Sequence, residues 1–166
     1  ELFDLKTSFF VDDEALKKAY QAQVTRFHPD NFANKSQSEQ LQALQNTSLV
    51  NSAYTALKTP LNRASYLLNL EDVNPFDEKD TNMDANFLLS QIELREQLEG
   101  IKEQQDDLAL DDFIEQVRDF TRDNVASISK AFMQSRDLQE IKTLVRELKF
   151  YEQLSKEANI LMDEWL

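Results

Sequence analysis

The sequence contains no cysteine and a single histidine. Without thiols there is no disulfide and no thiolate metal ligand, and one imidazole cannot supply the Glu-x-x-His pairs of a helix-bundle di-iron site. No metal or cofactor is expected. Glycine occurs once and proline three times in 166 residues, too few for the tight turns of a sheet protein. Basic residues are also scarce, 18 against 31 acidic, and the net charge of −13 repels a phosphate backbone, which excludes nucleic acid as a partner. No apolar run approaches the roughly 18 residues of a membrane span. The first residues lack the basic, apolar and small-residue order of a signal peptide, so a soluble, non-secreted protein without a membrane partner is expected. Nor is there a nucleophile paired with a base or a glycine-rich phosphate loop. The doublets Asp106-Asp107 and Asp111-Asp112 are the carboxylate pairs an enzyme would draw on, but acids at a helix start ordinarily complement the dipole.

What remains is rich in Leu, Ala, Glu, Gln and Lys, and reads as all-α. Charge divides it: residues 1–72 carry 7 basic and 9 acidic side chains, and residues 73–166 carry 11 and 22. Between the two lies 73–82, a polar, proline-bearing stretch without helical periodicity, which predicts a connector between domains 1–72 and 83–166.

In the first domain, Asp12 or Asp13 caps a helix with Leu16, Tyr20, Val24 and Phe27 on one stripe. Pro29 disfavours the α conformation at His28 and cannot donate to residue 25, so that helix ends near Phe27. A second helix starts near Ser36 or Ser38, runs to Thr59-Pro60, and carries Leu41, Leu44, Leu49, Val50, Ala53, Tyr54 and Leu57 as its apolar positions. A shorter one covers Leu61 to Leu70, and Leu2, Phe3 and Leu5 make a packing turn. The second domain predicts three helices, roughly 83–104, 110–134 and 137–165, whose short connections require antiparallel neighbours. Leu110, Phe113, Val117, Phe120, Ile128 and Phe132 form one stripe, and Ile141, Leu144, Leu148, Tyr151, Met162 and Trp165 another.

The segment Arg26-Phe27-His28-Pro29-Asp30-Asn31-Phe32 resembles the signature of the J-domain family, and it sits between two helices as in that family. Proline gives a rigid exit from the helix, histidine offers one donor and one acceptor, and Asp30 is an anion that can accept from arginine. As an ordinary helix-ending turn the tripeptide alone would be unremarked; its flanking helices and Tyr20 and Phe27 make the resemblance specific. It implies a loop that docks on a DnaK-class chaperone and promotes that partner's ATP hydrolysis. Gln21 and Ala22 replace the Lys or Arg of many members, leaving Lys17, Lys18 and Arg26 as the basic residues of the approach.

The first helix of the second domain has more apolar residues than one stripe uses. At 100° per residue from Leu94, Phe87, Leu98 and Ile101 fall within about 40°, whereas Leu88, Leu89 and Ile92 fall at about 120°, 220° and 160°. Glu93 and Glu96, at about 260° and 200°, frame them. This trio either faces outward as a binding surface or lies under the connector or the first domain. Phe150, about 160° from Leu148, joins the outward set unless Leu154 and Leu161 draw it into the core.

Leu67-Leu68, Asn86-Phe87-Leu88-Leu89 and Ile92-Glu93-Leu94-Arg95-Glu96, following a J domain and a connector, resemble the HscB family, co-chaperones of iron–sulfur cluster assembly. The likeness covers almost the whole chain. It implies a J domain with an antiparallel helical hairpin, a carboxy-terminal three-helix bundle, an HscA-type chaperone partner and an IscU scaffold client. The client would be met by Leu88, Leu89, Ile92, Glu93, Glu96 and Phe150. Gly100 stands where some relatives place an acid. The zinc-binding cysteine extension of some eukaryotic members is absent, which points to a bacterial cytoplasmic protein, and the start at Glu1-Leu2-Phe3 implies a few preceding residues. The competing readings are a J protein with a different client and a non-catalytic helical scaffold.

Overall fold

The computed structural model describes residues 2–80 and 82–166; Glu1, the start of the expected first domain, and Thr81, inside the expected connector, lie outside the described residues. Among the described residues there are six α-helices and one 3-10 turn, and no strand. They sort into two compact units, Glu1–Leu70 and Glu71–Leu166.

In the first unit, helix α1 (Asp13–Phe27) starts where the Asp12 carboxylate accepts from the Glu14 and Ala15 amides. It stops at His28, whose ψ of 130° leads into Pro29. Helix α2 (Gln37–Lys58) opens with a capping box, Ser36 and Glu39 each bonding the other's backbone. Hydrogen bonds from the Ser36 side chain and backbone hold the Glu39 carboxyl below its ordinary range. Helix α3 (Pro60–Leu70) begins on a proline, whose missing N–H costs nothing in a first turn. The core joins Phe3, Leu16 and Val50, with the Tyr20 and Tyr54 rings stacked at 4.1 Å.

Leu41, Leu44 and Leu49, expected among the apolar positions of α2, are exposed. Ala43 and Val50, seven residues apart on one face, are the buried positions of α2. Leu41 points about 160° from that face. Arg63 is buried instead, donating to the carbonyls of Leu57 and Phe9, both at 3.0 Å.

The second unit is a three-helix bundle of α4 (Ala85–Gln104), α5 (Asp107–Met133) and α6 (Leu138–Trp165). Asp84, Asp106 and Asp137 cap the three, and two short connections force antiparallel succession. Gln105 and Arg136, in those connections, adopt left-handed φ values of 52° and 47°. Phe87, Leu94 and Ile101 of α4 meet Leu110, Phe113 and Val117 of α5 and Leu154 and Ala158 of α6. The expected connector is itself packed: Pro75 is fully buried, and the carbonyls of Pro75, Asp80 and Asn82 accept from Arg146 of α6.

Candidate functional site

In the first unit the candidate is the turn after α1. Helix α1 leaves its last carbonyls without intrahelical donors, and three side chains reach them or the turn beyond. Asn31 Nδ2 donates to the Thr25 carbonyl at 2.7 Å, and Thr47 Oγ1 of α2 donates to the Phe27 carbonyl at 2.9 Å. Gln40 Nε2 donates to the carbonyls of Ala33 and Lys35. Pro29–Phe32 form the 3-10 turn, closed by the Asn31 amide donating to the His28 carbonyl at 3.0 Å. The turn is thus tied down at both ends while its three central residues stay exposed.

Within it the Asp30 amide donates to His28 Nδ1 at 3.3 Å. Assigned from that bond, the neutral ring carries its proton on Nε2, leaving an outward donor beside the Asp30 carboxylate, which is 91% exposed. Such a turn offers one donor and one anion in fixed relation. Lys17, Lys18 and Arg26 are all exposed on α1, but the helix does not gather them: Lys18 and Arg26 project about 100° and 180° from Lys17. The Arg26 guanidinium lies 5.1 Å from the Phe27 ring centroid.

In the second unit Leu88, Leu89 and Ile92 are 46%, 58% and 47% exposed, so within that bundle the trio faces outward. Glu93 and Glu96 beside it are exposed as well. Each half-exposed side chain forgoes part of the roughly 1.5–3 kcal/mol of full burial, which makes the trio the candidate interaction surface of this unit.

Phe150 is not among the exposed side chains of that surface. It is 6% exposed, meets Phe87 edge to face at 5.8 Å and carries the Arg95 guanidinium at 5.4 Å. The reason is that α6 packs against both α4 and α5, so its apolar arc is wider than one stripe, and a side chain about 160° from Leu148 still meets a neighbour.

The sequence reading missed the polar framework beside the trio. Arg146 Nε donates to the Pro75 carbonyl at 2.7 Å, and its Nη1 and Nη2 donate to the carbonyls of Asn82 and Asp80, both at 3.0 Å. Lys142 pairs with the Asp80 carboxylate, whose pKa is held below its usual range first by that bond, then by the Asn82 amide and the nearby Lys142 and Arg146 charges. Lys149 sits 4.3 Å from the Phe76 ring centroid. The spacing of 142, 146 and 149, cations one turn apart in an acidic chain, was the available signal. Among the described residues no cluster of acids or histidine is arranged to hold a metal ion, and no helix is long and apolar enough to cross a membrane.

Comparison with known proteins agrees with both halves. Residues 4–66 match the DnaJ domain, and residues 83–159 match the HSCB C-terminal oligomerisation domain. The chain is 37% identical over 162 residues to the co-chaperone protein HscB homolog of Photobacterium profundum, covering 97% of this chain and 94% of that one. Among solved structures, chaperone HscB from Vibrio cholerae superposes with a TM-score of 0.88 at 36% identity, covering 99% of this chain and 97% of the other. The human co-chaperone protein HscB also gives 0.88, at 30% identity over 96% of this chain and 79% of that one. The braced His-Pro-Asp turn in one unit and the three-helix bundle in the other are therefore those of a J-domain co-chaperone, and the chain belongs to the HscB family.

Proposed function

We propose that this protein stimulates the ATPase of an HscA-type, DnaK-class chaperone through His28, Pro29 and Asp30, and delivers to it the iron–sulfur scaffold protein IscU. Lys17, Lys18 and Arg26 provide a diffuse electrostatic approach to the chaperone. Leu88, Leu89 and Ile92 take an apolar segment of the client, while Glu93 and Glu96 favour basic residues around it. The protein acts in the cytoplasm and contributes no bond-making chemistry. What supports this reading above all is the exposed apolar trio on one unit together with an exposed, braced His-Pro-Asp turn on the other. Binding a client at one and a chaperone at the other raises the local client concentration at the chaperone.

The test is steady-state ATP hydrolysis by an HscA-type chaperone with this protein, with IscU, and with both. The expected result is stimulation by this protein that rises further with IscU. Stimulation indifferent to IscU, with no binding between the two, would point to another client.

A further inference from the structure

Beside the exposed trio lies a cleft of about 310 Å³. It is lined by Phe76, Asp80 and Met83 together with Arg95, Lys149 and Phe150. Arg146 holds the segment around Phe76 and Asp80 by donating to the carbonyls of Pro75, Asp80 and Asn82. With those donors engaged, Arg146 is a building element of the cleft.

The cleft is continuous with the trio. Gln91 and Arg95 line it, and each follows a trio residue, Leu88 or Ile92, by three positions, which makes them neighbours along the surface of α4. Its charge opposes that of its surroundings. Residues 73–166 carry 22 acids against 11 bases, yet Arg95, Arg146 and Lys149 all line this cleft, and its one carboxylate, Asp80, is already paired by Lys142 and Arg146. Lys149 is exposed and makes no ion pair among the described residues; its ammonium rests on the Phe76 ring. Arg95 is half exposed, with one Nη1 bond of 3.1 Å to Glu157. A cation free of carboxylate partners next to a half-free guanidinium, above an aromatic floor, suits a carboxylate on a short apolar stem.

We infer that this cleft is a second subsite for the client protein: Lys149, assisted by Arg95, receives an Asp or Glu side chain while the adjoining apolar residues of the client cover Leu88, Leu89 and Ile92. The inference rests on the reading of that trio as the client surface. It gives the surface a polarity, with basic client residues toward Glu93 and Glu96 and an acidic one toward α6, so that the client can seat in one orientation only.

Calorimetric titration of the full-length chain with IscU tests it, using wild type, Lys149→Gln, Lys149→Glu and the Leu88→Ala, Ile92→Ala double variant. Lys149→Glu is expected to weaken binding about tenfold, and Lys149→Gln severalfold with a shallower salt dependence. One client Asp or Glu changed to Lys should restore affinity for Lys149→Glu and for no other variant. If IscU binds wild type and is lost by the double variant, but binds Lys149→Glu unchanged, the cleft is not a subsite and the trio remains the client surface. If IscU does not bind wild type, both readings fall. Inorganic phosphate that binds at Lys149 without displacing client also overturns the inference, since the cleft would then hold only a free anion.

Discussion

The Asp30 amide points at His28 Nδ1 from 3.3 Å, so the two functional groups of the turn are fixed to each other by a bond within the tripeptide. Replacing the ring removes the outward donor and this brace together, but both residues are exposed and neither supports the core. His28→Gln is therefore expected to abolish ATPase stimulation while client affinity and melting temperature stay at wild-type values. Loss of client affinity in the same variant would contradict the separation of the two surfaces.

Leu88 and Phe150 give opposite expectations despite both being apolar. Leu88→Ala with Ile92→Ala should weaken client binding at least tenfold and leave the melting temperature nearly unchanged, because both side chains are about half exposed. Phe150→Ala removes a ring packed on Phe87 and should destabilise the second unit by about 3–5 kcal/mol, read by urea unfolding. A thermal loss in the double variant comparable to that of Phe150→Ala would place the trio in the core.

These two cases also mark where sequence sufficed. The His28 turn is local chemistry, a proline after a helix and two polar neighbours, and angular arithmetic on a single helix set the trio apart from the core stripe while leaving open whether it is covered. Phe150 needed knowledge that α6 has two partners. So did the stripe on α6, where Val145, Leu154, Ala158 and Leu161 are buried and the expected Leu144 and Met162 are only partly so. Leu41 and Leu44 failed for the opposite reason, α2 being uncovered on their side. The Arg146 contacts lie 64 to 71 residues away in sequence and end on carbonyls, which carry no side-chain identity to read.

Two carboxyls of the second unit should respond to pH with opposite sign. Asp80 has its folded-state pKa depressed, first by the Lys142 bond. Its contribution is present above its unfolded value near 3.8 and is lost as pH falls through the folded one. Glu147 has its pKa raised, first by burial, with Asp84 adding to the rise and the Asn124 amide opposing it. There the folded state holds the proton more tightly, so the ionised carboxylate costs stability at neutral pH and that cost fades as pH falls through the raised value to below 4.5. Glu147→Gln should accordingly raise the urea midpoint at neutral pH and bring no gain in strong acid. Asp80→Asn should lower the midpoint at neutral pH and merge with wild type in acid.

Gly100 and Gln105 occupy each other's natural places. A Cβ built on Gly100, inside α4, meets nothing within 4 Å, so Gly100→Ala should stabilise by about 0.5–1 kcal/mol. Gln105→Gly, at φ 52° just after the same helix, should add a similar amount, about 0.5–1 kcal/mol. Calorimetric melting of the single and double variants measures both, and additivity within about 0.5 kcal/mol is expected.

Natural chains settle only slightly above the stability that selection demands. The left-handed Gln105 therefore has an evolutionary meaning: this lineage sits below what its own backbone permits, and the route upward runs through a turn of the unit that does not contain His28. A lineage that took that step first would gain tolerance for destabilising changes elsewhere, and the exposed apolar face of α4 would be free to drift in sequence without the bundle coming apart.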